Sequence, residues 1–341
     1  MNLTLKDIAQ ALGISVATVS KALKGYKDVS PSTRKKVLEY AKKVQFKPNT
    51  QAAFLRTKQT KLIGLILPKI DHDFFAQILK GILNQAEETD YKIIILCSDE
   101  SYENERKHIQ DLLQLNADGI FISIAKSTNK FDHLVEAQKS RTSLIIFDRY
   151  VKILPSHRII IDDKKAAFRA TEHLIQNGCD KIAYFRGDLI SQISIDRFLG
   201  YKKALDHYKV PFNRDLVLTC NENTLEEGKS KAAQLLEKKL PINGVFAVED
   251  LLALGAMEEF KKEGYKIPKD IACMGFSNWN LADLVSPSLS SVEQNGFLMG
   301  KKVFQLFIKD QKNKAEEKAF TTEIIPTHLV IRESTDFGIK T

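Results

Sequence analysis

The chain has 341 residues, of which 43% are hydrophobic and 28% are charged, a composition typical of a globular protein with two or three domains. No apolar run approaches the roughly 20 residues that a membrane-spanning helix needs. The first ten residues, MNLTLKDIAQ, contain no apolar signal-peptide core. These features argue against a membrane or secreted protein and predict a cytoplasmic location.

The net charge of +8 is concentrated at the N-terminus. Residues 1–60 contain twelve Lys or Arg and three Asp or Glu, whereas the remaining residues contain 39 and 40. A basic head on a neutral body favours a polyanionic partner for the head, because neutralising phosphates releases condensed counterions. A solvated lysine-rich surface is the alternative that charge alone leaves open.

Three short helices are predicted in this head. Thr4 can cap the first, with Asp7 as its capping-box partner, and Gly13 ends it in a tight turn. Ser15 can cap the second helix, which Gly25 closes. The segment VSPSTRKKVLEYAKKVQFKP predicts a third helix, capped by one of two serines, Ser30 or Ser32, with an inward face of Val37, Leu38, Ala41 and Val44.

Two short helices joined by a glycine-containing turn, with a third as support, predict a helix-turn-helix. The N-terminal part of the second helix enters the DNA major groove in such motifs. Val16 and Ala17 can touch a thymine methyl group there, and Lys21 can donate to guanine. A three-helix bundle that binds protein is the alternative, and the basic charge argues against it.

The segments TLKDIAQALGISVATVSKALKG and VSPSTRKKVLEYAKKVQFKPN resemble the DNA-binding head of the LacI/GalR family of bacterial regulators. The resemblance implies that NTQAAFLRTKQ forms a hinge helix on DNA, with Leu55 as a minor-groove wedge. Ala53 departs from the family, which commonly has arginine there. The DNA-binding residues predicted from the helices and the resemblance are Thr4, Leu5, Ser15, Val16, Ala17, Thr18, Ser20, Lys21, Thr33, Asn49 and Leu55.

From residue 61 onward, strands alternate with helices, a pattern that implies parallel sheets with crossover helices. The first series has the strands KLIGLIL, KIIIL, GIFIS and SLIIF, with helices at 74–89, around 103–115 and near 134. The second series has RIIID, KIAYF, GVFAV and IACMGF, with helices at 164–176, around 198–208 and at 251–263. These two runs predict two Rossmann-like halves.

Segments such as FFAQILKGILNQAEETDYKIIIL, AVEDLLALGAM and LVIRES resemble the family's sensor domain, so the resemblance covers nearly the whole chain. It implies an α/β fold with a three-helix head and hinge, followed by a two-lobed sensor of parallel αβ sheets similar to periplasmic binding proteins. The predicted domains are 1–59 for DNA binding and 60–341 for ligand sensing and dimerisation. Lobe one is expected at about 61–160 and 291–320, and lobe two at about 161–290 and 321–341.

The resemblance further implies a small polar effector between the lobes, at the C-terminal ends of the strands. An aromatic residue at 74 or 75 can stack on a sugar or be ordinary helix core, and Arg197 can reach the ligand or form an interlobe salt bridge. Ser277 stands where the family usually has aspartate, which weakens the prediction of an ordinary neutral sugar. The candidate effector-binding residues are Phe74, Phe75, Asp148, Arg197, Glu249, Asp250, Ser277 and Asn278.

No catalytic or cofactor motif is present: GxxxxGK[ST], GxGxxG after a strand, HExxH and GxSxG are all missing. The seven histidines show no metal-ligand spacing, and the four cysteines are far apart, which predicts buried reduced thiols at Cys97, Cys179, Cys220 and Cys273. The sequence therefore predicts no enzymatic activity, no cofactor and no metal.

The leading hypothesis is a sequence-specific transcriptional regulator, a repressor, that binds a pseudo-palindromic operator in double-stranded DNA as a homodimer. Its effector is predicted to be a carbohydrate or a derivative. A regulator controlled by a protein partner is one alternative, and the Ser277 departure keeps it open. A transport protein that binds sugar and an αβ enzyme are the others.

Overall fold

The computed structural model describes residues 3–23, 25–46, 59–312 and 319–337, and the chain divides into two compact units, 1–60 and 61–341. Within the described residues the helices are α1 (Leu5–Leu12), α2 (Val16–Leu23), α3 (Pro31–Lys43), α4 (Asp73–Ala86), α5 (Tyr102–Gln114), α6 (Asp132–Lys139), α7 (Asp163–Gln176), α8 (Gln192–His207), α9 (Leu225–Glu237), α10 (Asp250–Lys262), α11 (Leu281–Leu284) and α12 (Gly296–Lys312).

The strands all belong to the second unit. They are β1 (Leu62–Leu67), β2 (Lys92–Cys97), β3 (Gly119–Ile122), β4 (Ser143–Phe147), β5 (His157–Ile161), β6 (Ile182–Arg186), β7 (Val217–Thr219), β8 (Gly244–Ala247), β9 (Ala272–Met274), β10 (Ser291–Glu293), β11 (Thr322–Ile325) and β12 (His328–Val330). Among the described helices, none is long and apolar enough to cross a membrane.

The first unit is a three-helix bundle whose helix caps confirm the sequence prediction. The Thr4 amide donates to Asp7 Oδ2 at 2.7 Å, and the Asp7 amide donates to Thr4 Oγ1 at 3.4 Å, so the capping box is complete. Ser15 Oγ accepts from the Thr18 amide at 3.1 Å, and Ser30 caps α3. These caps satisfy amide groups that a helix leaves unpaired at its start.

The core of this small unit contains the buried apolar residues Ile8, Ala9, Val19, Ala22, Val29, Val37 and Ala41. The prediction that Leu38 faces inward is wrong, because its side chain is 47% exposed. Val37 and Ala41 are four residues apart and share one face of α3, whereas Leu38 is rotated about 100° from Val37 around the helix axis. The spacing of apolar residues predicted the helix correctly but assigned too many of its residues to the buried face.

The second unit contains two parallel sheets and thereby confirms the predicted fold class. One sheet has six strands in the order β11-β5-β4-β3-β1-β2, and the other has four in the order β7-β6-β8-β9. β10 and β12 form a separate antiparallel pair. The parallel pairs follow from the alternation of strand and helix, since each parallel connection needs a crossover.

Two predicted lobe boundaries are wrong by a few residues. β11 pairs with β5 in the six-stranded sheet, so residues 322–325 belong to lobe one. β10 pairs with β12 and contacts α7, so residues 291–293 belong with lobe two. Both strands are short, and in β11 two exposed positions alternate with one partly buried and one buried position, so neither strand has the continuous apolar run that marked the central strands.

Several elements escaped the sequence prediction. β7, α9 and α12 were not predicted, and α8 begins at Gln192, six residues before the expected start. Cys97 is only partly buried, a correction to the expectation for all four thiols, while Cys179, Cys220 and Cys273 are buried. All four are unpaired. Cys97 ends the edge strand β2, which is covered by neighbours on one side only.

Candidate functional site

A cleft of about 490 Å³ lies between the two sheets of the second unit. Its walls are the loops, and the first turns of the helices, that follow the C-terminal ends of β1 to β4 in lobe one and of β6 to β9 in lobe two. Open parallel sheets bind ligands at these ends. The polar and aromatic lining includes Lys69, His72, Phe75, Glu100, Lys126 and Arg149 from lobe one, and Asp188, Arg197, Asn223, Glu249 and Trp279 from lobe two.

Three of the eight candidate effector residues line this cleft: Phe75, Arg197 and Glu249. The other five are not among the lining residues: Phe74, Asp148, Asp250, Ser277 and Asn278. Phe74 is buried in the apolar core, as the alternative interpretation of this position expected. Ser123 Oγ donates to the buried Asp148 carboxylate at 3.0 Å, and the Asn278 side-chain amide donates to Glu293 at 2.8 Å.

Asp250 supports the loop that carries Trp279. Its fully buried carboxylate accepts from Ser291 Oγ at 2.6 Å and from the Trp279 amide at 2.7 Å. Burial raises the pKa of Asp250 to about 7, against the opposing effect of these hydrogen bonds. Asp250 therefore contributes to the cleft by positioning an aromatic side chain.

Glu249 places a carboxylate next to Ser277, the position where the family that the sequence resembles usually has aspartate. Ser277 Oγ donates to Glu249 Oε2 at 3.2 Å, and Gln294 Nε2 donates to Ser277 Oγ at 2.7 Å. The end of β8 thus places a carboxylate beside Ser277, which follows β9. The sequence showed both Ser277 and Glu249, but only the register of β8 beside β9 brings them together.

His72, which the sequence analysis missed, reaches across the cleft from lobe one. Its Nε2 lies 3.3 Å from Glu249 Oε2, and its ring packs edge-on against Trp279 at 4.6 Å between centroids. Burial opposes protonation of His72, but the charge and hydrogen bond of Glu249 outweigh burial and raise its pKa. Burial likewise opposes ionisation of Glu249, but His72, Arg197 and Ser277 together lower its pKa.

Arg197 is held by a buried acid that the sequence analysis did not connect to it. Its Nε donates to Asp163 Oδ1 at 2.7 Å, and its Nη1 donates to the Val248 carbonyl at 3.0 Å. Burial raises the pKa of Asp163 to about 6, and the guanidinium of Arg197 opposes that rise. Asp163 begins α7 in the same lobe, so the alternative of an interlobe salt bridge is wrong.

The N-terminal end of α2 in the first unit presents the predicted reading residues. Ser15, Val16 and Ala17 are exposed in succession, and Val16 retains 40% exposure despite its apolar side chain. Lys21 Nζ lies 2.5 Å from Asp28 Oδ2, and both side chains are about half exposed.

The remaining DNA-binding candidates differ in exposure. Thr4 is exposed. Four others are partly buried: Leu5, Thr18, Ser20 and Thr33. Asn49 and Leu55 lie outside the described residues.

Comparison with known proteins identifies the family. The model "Periplasmic binding proteins and sugar binding domain of LacI family" matches residues 60–333, and "Bacterial regulatory proteins, lacI family" matches residues 4–49. The chain belongs to the LacI family of bacterial regulators. It is accordingly a DNA-binding transcriptional regulator and not an enzyme.

The similarity to known regulators extends over nearly the whole chain. The chain is 30% identical to the HTH-type transcriptional regulator DegA of Bacillus subtilis over 336 residues, and the aligned region covers 98% of each protein. It is 32% identical over 338 residues to the ribose operon repressor of Halalkalibacterium halodurans, again with 98% of each covered. The solved Lac repressor dimer, bound to operator and the anti-inducer ONPF, has a TM-score of 0.85 and 22% identity, with 98% of this chain and 99% of that chain covered.

Proposed function

We propose that this regulator is a repressor that binds a pseudo-palindromic operator as a homodimer, and that a small polar effector in the interlobe cleft sets its operator affinity. The observation that carries the effector half of the proposal is the cleft itself, walled by the loops and first helical turns after eight parallel strands. A ligand that prefers one arrangement of the two lobes shifts the population toward that arrangement. Such a protein acts where the DNA is, in the cytoplasm.

The DNA half of the proposal is supported by charge and by the exposed end of α2. The first 60 residues contain twelve basic and three acidic side chains. A two-fold dimer duplicates the reading helix, so major-groove contacts recur at roughly 34 Å or a multiple of it. The proposed DNA contacts are the eleven residues predicted from the sequence, of which Thr4 is the first and Leu55 the last.

A carbohydrate or a derivative is the proposed effector class. Phe75 and Trp279 offer aromatic surface, and the rest of the lining is rich in polar groups, as in sites that orient small polar ligands. The name of one relative, a ribose operon repressor, agrees with a role in sugar metabolism. Control by a protein partner was an alternative because Ser277 replaces the aspartate usual in the family. Glu249 supplies a carboxylate within 3.2 Å of Ser277, which weakens the argument for that alternative.

Selection of bound duplexes from a random pool, with the full chain at near-physiological salt, tests the proposal. A palindromic consensus with a central step that kinks easily is the expected result. If no sequence is enriched, the selection is repeated with metabolite pools to supply a co-repressor. Failure of both selections would overturn the repressor assignment.

Replacement of Lys21 by alanine tests the reading helix. Because exposed ion pairs are weak, Lys21 can leave Asp28 for a base edge, and we expect Lys21→Ala to weaken specific binding by about 1–3 kcal/mol and to relax preference at one base pair. Fluorescence anisotropy with the selected duplex and its single-base variants measures both effects. Lys27→Ala, in the following turn, is the matched control. Unaltered base preference in Lys21→Ala would remove Lys21 from the reading set.

A further inference from the structure

We infer that the cleft is built for a polyhydroxylated ligand without net negative charge, a neutral sugar or amino sugar rather than a phosphorylated or carboxylated one. The inference deepens, and rests on, the proposed effector function of the cleft. It follows from the way in which the protein's own carboxylates already pair with both arginines of the cleft and with backbone amides beside it.

The two arginines of the cleft are both neutralised from within. Arg149 Nη1 donates to Glu100 Oε2 at 2.7 Å, with both side chains about one-fifth exposed. Arg197 is paired with Asp163 at 2.7 Å, and both side chains are 5% exposed. Arginine binds phosphate and carboxylate groups through the same N–H donors. An anionic ligand would therefore compete with a carboxylate of the protein at either position, a partly buried one at Arg149 and a buried one at Arg197.

Backbone amides beside the cleft are occupied in the same way. The amides of residues 221–223 donate to the Glu227 carboxylate at 2.7, 2.8 and 2.9 Å. The amides of Ile190 and Ser191 donate to Asp188 Oδ1 at 2.8 and 2.6 Å. Successive amides of this kind form anion-binding concavities in other proteins. Here the anion in each concavity is a side chain of the protein.

The balance of charge around the cleft is also unfavourable to an anion. Its lining carries four permanently cationic side chains, Lys69, Lys126, Arg149 and Arg197, and one histidine, His72, that gains a positive charge when protonated. Against them stand six carboxylates, Asp71, Asp99, Glu100, Asp188, Glu222 and Glu249. Lys126 is further engaged, since its amide donates to Glu100 at 2.8 Å and its ammonium group contacts the Asn221 carbonyl. An added negative charge would enter a lining that already has an excess of acids.

Some buried polar atoms of lining residues are of the kind that hydroxyl groups satisfy. Within the described residues, three lining side chains carry a buried polar atom without a hydrogen-bond partner: His72 Nδ1, Asn223 Oδ1 and Trp279 Nε1. The indole nitrogen is a donor and the amide oxygen is an acceptor, and a hydroxyl group can serve either one. Trp279 and Phe75 add apolar surface against which a sugar ring can pack.

Fluorescence of Trp279, the single tryptophan of the chain, provides a readout confined to the cleft. The full-length protein is titrated with inorganic phosphate against chloride at equal ionic strength. We expect no saturable change in the wild type. Glu100→Gln should gain a saturable response, because it leaves Arg149 without its carboxylate. Glu103→Gln, which removes an exposed acid paired with Arg106 at 3.2 Å, is the matched control and should behave as the wild type.

In the phosphate titration, either of two results would overturn the inference: a saturable response of the wild type, or a folded Glu100→Gln protein without one. Circular dichroism establishes folding, and Asp163→Asn, which frees Arg197, provides the same gain-of-binding test if Glu100→Gln does not fold. A second titration compares glucose, glucosamine and glucose 6-phosphate, and ribose with ribose 5-phosphate. Tighter wild-type binding of a phosphorylated member than of its parent sugar would also overturn it. Failure of the proposed function can be distinguished from failure of this inference. The first would appear in the DNA selection, whereas the titrations would still measure which ligands bind.

Discussion

At the level of single residues, His72 of lobe one and Glu249 of lobe two form a pair across the cleft. Each side chain is less than one-fifth exposed, and the two atoms that meet are 3.3 Å apart. Because the pKa of His72 is raised and that of Glu249 is lowered, the charged pair is favoured in the folded protein. A difference in pKa between the folded and unfolded states makes stability depend on pH.

The pair should stabilise the protein most at mildly acidic pH. The contribution of His72 is complete below its ordinary pKa of 6.5 and is lost as pH rises through its raised pKa. The contribution of Glu249 is complete above its ordinary pKa of 4.5 and is lost as pH falls through its lowered pKa. We expect His72→Gln to lower the free energy of unfolding by about 1–2 kcal/mol between these values and by less in alkaline buffer.

Urea unfolding of the wild type and of His72→Gln over a range of pH measures this dependence. His328→Gln, at an exposed position in β12, is the matched control and should change stability little at any pH. If His72→Gln lowers the free energy of unfolding equally in acidic and alkaline buffer, the contribution of His72 comes from packing and not from its charge.

At the scale of elements, helix pairs approach closely at glycines. A Cβ atom placed on Gly300 in α12 would lie 2.1 Å from the Ile78 carbonyl oxygen in α4. The equivalent atom on Gly255 in α10 would lie 2.0 Å from the Leu225 oxygen in α9. These atoms belong to backbone and cannot rotate aside. The glycines therefore set how closely the helices that cover the sheets can pack.

Gly300→Ala is expected to destabilise the protein. Alanine in an unobstructed helix position stabilises by roughly 0.5–1 kcal/mol relative to glycine, so the sign of the change reports the available space. We expect a loss of about 1–3 kcal/mol from forced separation of α12 and α4. Chemical denaturation measures it, with the exposed Lys309→Ala in the same helix as the control. A gain in stability would mean that the helices separate at little cost.

At the scale of the whole second unit, Arg197 joins two of the places where the chain passes between lobes. Asp163 follows the crossing after β5, and Gln294 lies in the crossing between β10 and α12. Arg197 Nε donates to Asp163 at 2.7 Å, and its Nη2 lies 3.5 Å from Gln294 Oε1. A ligand that contacts Arg197 would thus act on side chains at two interlobe connections.

Arg197→Lys tests this connection while it keeps a positive charge beside Asp163. Lysine cannot contact Asp163, Val248 and Gln294 together, because its ammonium group lacks the guanidinium fork. We expect operator affinity without effector to remain near the wild-type value. The change in affinity caused by the most effective sugar of the titration panel should fall about tenfold, equivalent to about 1.4 kcal/mol. Anisotropy measures both, with Arg186→Lys as the control, and an undiminished response would contradict the role of Arg197.

Elements that depend on local signals could be predicted from the sequence. Caps at Thr4, Ser15 and Ser30 set the helix starts of the head, and continuous apolar runs marked the central strands of both sheets. The concentration of charge in the first 60 residues and the family motifs pointed to DNA. These features were readable because capping, hydrophobic periodicity and charge act over a few neighbouring residues.

Contacts between residues that are distant in the sequence depend on the folded arrangement of the strands and helices. His72 and Glu249 are 177 positions apart, and Arg197 and Asp163 are 34 apart, so no local pattern joins them. The edge strand β11 was assigned to the wrong lobe for the same reason, because its place depends on pairing with β5. Side-chain chemistry lists candidates for a site, but strand order and register determine which of them face the cleft and which, like Asp250, hold the lining in position from behind.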